Sequence, residues 1–89
     1  MAKMLSKWLF YDTKFKRKLN MYKHYYLNRN AQSTGEYEFH TEDCSYLPNV
    51  NNHIYLGYFD NCRDAENEAK KYTNNVDGCY HCCSLCHTR

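Results

Sequence analysis

Three periodicities follow one another along this chain. From residue 3 to residue 20, Met4, Trp8, Tyr11, Phe15, Leu19 and then Tyr22 recur every three or four positions. That spacing predicts an amphipathic helix with a single apolar stripe. The period then shortens. Tyr22–Asn28 (YKHYYLN) is aromatic and strand-like, and Glu36–His40 (EYEFH) alternates strictly, which turns Tyr37 and Phe39 inward. The intervening Ala31–Gly35 (AQSTG) is a small, polar turn, so the two segments predict an antiparallel hairpin. His53–Phe59 (HIYLGYF) reads as a further strand interrupted by Gly57.

Helical spacing returns at Cys62–Tyr72, where Cys62, Ala65, Ala69 and Tyr72 would form the buried stripe. Asp60 or Asn61 is the expected N-cap, because a short side-chain oxygen accepts from a free backbone N–H. Acids early and Lys70 and Lys71 late suit the helix dipole. Thr73–Gly78 (TNNVDG) reads as a loop closing in a tight Asp-Gly turn, and Cys79–Arg89 is a cysteine-rich tail. The expected architecture is a small α+β domain: an antiparallel hairpin widened to three strands, one short helix and a C-terminal cysteine knuckle. Residues 1–21 form a basic amphipathic extension and residues 22–89 the domain.

Size makes a staple necessary. The chain has 89 residues, enough for one domain, and only fourteen of them are Leu, Ile, Val or Phe. Domains this small bury a limited share of their surface and lean on metals or disulfides. The apolar run Trp8–Tyr11 is four residues long and ends at Asp12. A secretory leader needs about 7–15 apolar residues and a membrane span about 20. The expected compartment is therefore the cytoplasm, with no membrane partner. Thiols stay reduced there, so clustered cysteines read as metal ligands before they read as disulfides.

Charge is asymmetric behind a net +2. Residues 1–29 carry eight Lys or Arg against the single acid Asp12, while residues 30–89 carry four against nine acids. A basic segment joined to an acidic one is an interaction-arm pattern. Lys14, Lys16, Arg17, Lys18 and Lys23 are its candidate partner-binding or nucleic-acid-binding residues.

The chemistry concentrates in two places. His40-x-x-x-Cys44 is the first, and Cys79-x-x-Cys82 overlapping Cys83-x-x-Cys86 is the second. Zinc takes four soft or borderline ligands in a tetrahedron. A C-x-x-C turn aims two sulfurs at one ion, and a distant pair closes the site. The pool is His40, Cys44, Cys79, Cys82, Cys83 and Cys86, of which one tetrahedral ion uses four. Cys44 is the expected anchor, joined by one C-x-x-C pair and a fourth ligand from His40 or another tail cysteine; spacing does not choose the pair. Adjacent Cys82 and Cys83 diverge too much to share an ion. Cys62, on the helix stripe, reads as a small buried residue, and His24 and His53 as ordinary strand residues. The rival to metal is a set of three disulfides.

The segments FHTEDCSYLP, YFDNCRDAENEAKK and GCYHCCSLCHT resemble a group of small bacterial and phage-type proteins. Their layout is also similar to the metal-binding domain of the Ada DNA-repair protein, over about residues 22–88. The resemblance implies a structural zinc held between the first knuckle and the terminal one. It does not bring methyl transfer with it. Glu36, Glu38, Glu42 and Asp43 precede Cys44 where the Ada site is basic, and they would repel a phosphate backbone.

Catalysis is not expected. The only glycines are Gly35, Gly57 and Gly78, so no phosphate loop exists, and no nucleophile has an orienting partner. The expected function is a zinc-binding, non-enzymatic interaction module for a protein partner, with Tyr22, Tyr25, Tyr26, Tyr55 and Tyr58 as contact area. Two alternatives stand beside it. One is nucleic-acid binding through the basic, aromatic N-terminal segment. The other is a thiol redox sensor that releases zinc on oxidation. The apolar stripe of residues 3–20 needs a cover, which makes a homodimer a further expectation.

Overall fold

The computed structural model describes residues 21–88. The helix expected over residues 3–20, with Lys14, Lys16, Arg17 and Lys18, lies outside the described residues. Four strands form one mixed sheet: β1 (Lys23–Asn28), β2 (Tyr37–Thr41), β3 (His53–Phe59) and β4 (Val76–Gly78), in the order β3-β1-β2-β4. β1 pairs antiparallel with both β2 and β3. β4 pairs parallel with β2, with Phe39 opposite Gly78. The three-stranded antiparallel expectation is thus corrected to a four-stranded mixed sheet. The segment read as a loop closing at Asp77-Gly78 instead supplies its last strand.

Helix α1 (Cys62–Ala69) packs on one face of this sheet. Asn61 caps it, its side-chain oxygen accepting from the Asp64 N–H at 2.9 Å. The helix ends at Ala69, three residues short of the expected end, and Tyr72 is exposed rather than part of the stripe. Ala65 and Ala69 are small enough to let the helix lie close against Tyr25, Leu27, Phe39 and Leu56, and all six are buried in one core. Phe39 is fully buried, and Tyr37 packs at the margin of the core as the alternation of EYEFH requires. Tyr25 is buried too, so it leaves the set of expected contact tyrosines.

Two glycines are fixed by geometry. Gly57 has φ +140°, and a Cβ there would lie 2.7 Å from the Phe59 ring, which folds back over it beside the bulge in β3. At Gly78 a Cβ would meet the Cys83 carbonyl oxygen at 2.8 Å and the Cys86 backbone at 3.0 Å. The cysteine tail therefore lies directly on the end of β4.

Among the described residues, the opposite face of β1 and β3 carries aromatic rings and no second layer. Alternation along β1 turns His24 and Tyr26 outward, and the register pairs them with Tyr58 and Tyr55 of β3. Rings touch in sequence from Tyr22 to Tyr58 (centroids 5.2 Å), Tyr58 to His24 (4.6 Å), His24 to Tyr55 (5.6 Å), Tyr55 to Tyr26 (5.4 Å) and Tyr26 to His53 (4.4 Å). Tyr22, Tyr55 and Tyr58 are all exposed. Among the described residues no helix is long and apolar enough to cross a membrane.

Candidate metal centre

Two turns, thirty-five residues apart, meet at one end of the sheet. His40 is the penultimate residue of β2, and Cys44 lies in the turn that follows, with its N–H bonded to the Thr41 carbonyl at 3.2 Å. Cys79 directly follows β4, and its N–H bonds to the Phe39 carbonyl at 3.0 Å, continuing the parallel pairing. That bond sets the second turn beside the first. The ligand atoms of His40, Cys44, Cys79 and Cys82 all lie within 4.8 Å of one another, close enough to hold a metal ion. The sulfurs of Cys44 and Cys79 are 3.8 Å apart. A tetrahedral ion with metal–sulfur bonds of about 2.3 Å has a sulfur–sulfur edge of about 3.8 Å.

The surroundings suit thiolates. Each of the three sulfurs accepts at least one backbone N–H: Cys44 from Tyr46 at 3.4 Å, Cys79 from His81 at 3.4 Å and Cys82 from Thr41 at 3.3 Å. Such donors stabilise negative sulfur. Without a cation, burial pushes the Cys44 thiol up and the Cys79 thiol up to about 12. The Cys83 thiol beside it, and then burial, push Cys82 up as well. A divalent ion would supply positive charge that stabilises the three thiolates.

His40 completes the set. It is 2 % exposed, and neither ring nitrogen has a hydrogen-bond partner among the described residues. Burial, reinforced by His53, lowers it to about 4, so the ring is neutral at physiological pH and has a lone pair to offer. A buried imidazole with two orphaned nitrogens is costly on its own. Coordination of one nitrogen would remove part of that cost. The Glu38 carboxylate lies 3.8 Å from Nε2.

The other members of the sequence-derived pool are placed elsewhere. Cys86 is joined to Cys62 by a disulfide, which ties the first turn of α1 to the tail. Cys62 is therefore a bridging residue and not merely a small buried one, and the expectation of wholly reduced cysteines is corrected to one bridge and four free thiols. The rival set of three disulfides is likewise not what the chain forms. Cys83 is buried with its sulfur 3.7 Å from that of Cys82, but it stands outside the four-residue cluster. Lys23, expected to meet a partner, is held by the Asp43 carboxylate. His81 stacks on Tyr46 instead of ligating, and His87 donates from Nδ1 to the Gly78 carbonyl at 2.9 Å. The Tyr46–His81 stack and the Cys62–Cys86 bridge join segments far apart in sequence, and no local pattern marks either.

No family model, no curated protein and no solved structure matches this chain.

Proposed function

We propose that this chain is a small, non-enzymatic interaction module closed by a structural zinc ion at His40, Cys44, Cys79 and Cys82. The observation that carries the reading is the donor set: three thiols and one imidazole within 4.8 Å of one another, with a backbone N–H on every sulfur. Three sulfurs and a nitrogen suit zinc over the harder magnesium or calcium. Four protein ligands fill a tetrahedron and leave no position for a substrate, which is the mark of a structural site. A likeness to the Ada metal-binding domain is part of the same proposal, limited to the position of the zinc between two turns.

The working surface in this reading is the aromatic face of β1 and β3, and its partner is a protein. Rigid aromatic rings give contact area at low entropic cost. Charge argues for protein over nucleic acid at this face. Residues 21–88 carry five Lys or Arg against nine Asp or Glu. Glu42 lies 3.9 Å from the His24 ring nitrogen, and Lys23 is already neutralised by Asp43. A phosphate backbone would meet net negative charge here.

Two measurements test the two halves of the reading. Native mass spectrometry of protein expressed with zinc should find one zinc and one disulfide per chain; a metal-free, folded chain would overturn the structural-zinc assignment. For the surface, a photo-crosslinking residue at Tyr55 should yield protein adducts of discrete mass in cells, and the same residue at Arg63, on α1, should not. Nuclease-sensitive adducts at Tyr55 would transfer the surface to nucleic acid, and equal adducts at both positions would remove it.

A further inference from the structure

Four cysteines of this protein, Cys62, Cys82, Cys83 and Cys86, line a single cleft of about 630 Å³ bounded by the start of α1, the sheet and the tail. Two of them form the Cys62–Cys86 disulfide and a third, Cys83, is a free thiol. Cys83 and Cys86 belong to the same buried cluster, with Cys62 packed against it. Cys83 also caps the 3-10 turn Ser84–Cys86, and the Cys86 N–H closes that turn on the Cys83 carbonyl at 2.9 Å. In a 3-10 turn, residues i and i+3 stand one above the other. Their Cα atoms fall within about 7 Å of each other, and a disulfide spans about 4.4–6.8 Å. Cys83-Ser84-Leu85-Cys86 is thus a C-x-x-C pair of which only one member is bridged.

From this geometry we propose that the cleft is a thiol–disulfide exchange site, in which Cys83 takes the bridge from Cys62. The Cys83 thiolate attacks the Cys86 sulfur, the Cys62–Cys86 bond breaks, and a Cys83–Cys86 bond forms. Cys83 loses its proton to solvent and the departing Cys62 thiolate takes one up. Electrons balance within the chain, so no oxidant is needed. The two states differ in one mechanical respect: the first ties α1 to the tail and the second releases it. The released Cys62 borders an open cleft and is the thiol that a disulfide of another molecule would meet. The exchange makes and breaks no bond to the four clustered ligands, of which Cys82 has its sulfur 3.7 Å from that of Cys83.

The test uses the full-length, zinc-loaded protein in mildly alkaline buffer with an alkylating reagent, followed by peptide mass mapping. In the wild type, Cys62 should become alkylated while a Cys83–Cys86 bridge accumulates. In Cys83→Ser, release of Cys62 should slow by about tenfold or more, since its attacking thiol is gone. In Cys62→Ser, a glutathione redox buffer that keeps the wild type bridged should produce the Cys83–Cys86 bond. Release of Cys62 from Cys83→Ser at the wild-type rate would overturn the proposal. So would two free thiols at Cys83 and Cys86 in Cys62→Ser, with zinc still bound as proof that the variant is folded.

Discussion

Tyr46 and His81 stack face to face, ring centroids 4.3 Å apart, across the two cysteine turns. Each is also the residue whose backbone N–H reaches the first sulfur of its own turn, Cys44 and Cys79 respectively. The stack therefore couples two N–H···S contacts on opposite sides of one site. Tyr46→Ala should lower zinc affinity several-fold in a chelator competition, while costing about 0.5–1.5 kcal/mol in stability. Tyr46→Phe, which keeps the ring, should be near wild type.

Ligand substitutions divide the cysteines sharply. Cys44→Ser and Cys79→Ser should each abolish zinc retention in native mass spectrometry and unfold the domain, since structural zinc contributes about 10–16 kcal/mol apparent in small metal-folded peptides. Cys83→Ser should retain one zinc, because Cys83 stands outside the cluster.

His40 gives the stability a pH window. Its pKa is about 4 when folded and 6.5 when free. The unfolded chain therefore binds more protons between those values, and stability rises with pH across them. The contribution is fully present above pH 6.5 and is lost as the pH falls toward 4. At 1.36 kcal/mol per unit it amounts to about 3 kcal/mol at most. Urea midpoints for the zinc-loaded protein across this range should fall by at least this much, because protonating His40 also opposes its coordination, and a flat profile would contradict a buried, neutral His40.

Gly78→Ala drives a methyl group into the Cys83 carbonyl and the Cys86 backbone. Neither can rotate away as a side chain would, so a loss of about 1–3 kcal/mol is expected in thermal or urea unfolding. Weaker zinc binding should accompany it, because Cys79 is the next residue. Phe39→Ala, by contrast, empties a fully buried position and should cost about 3–5 kcal/mol.

The parts of this molecule that local chemistry dictates were legible in the sequence. Asn61 caps α1 because an Asn before a helical stripe accepts a free N–H, and Phe39 turns inward because EYEFH alternates. All four clustered residues were in the sequence-derived pool. The choice among them was not legible, since Cys79-x-x-Cys82 and Cys83-x-x-Cys86 have identical spacing. What brings the first pair to Cys44 is the parallel seating of β4 on β2, through the bond from the Cys79 N–H to the Phe39 carbonyl. β4 has only three residues, one of them glycine, and carries too little periodicity to announce itself. The Cys62–Cys86 bridge was equally hidden: residues 24 apart meet only once α1 has docked.

The order in which the two turns leave the ribosome gives the site a further property. His40 and Cys44 are synthesised well before Cys79 and Cys82, and a two-ligand half-site holds an ion poorly. A nascent chain, a premature stop before Cys79 or a proteolytic cut that frees the tail would each leave only that weak half. Firm metal retention would then report that translation has reached the last turn and that the chain between the two turns is intact.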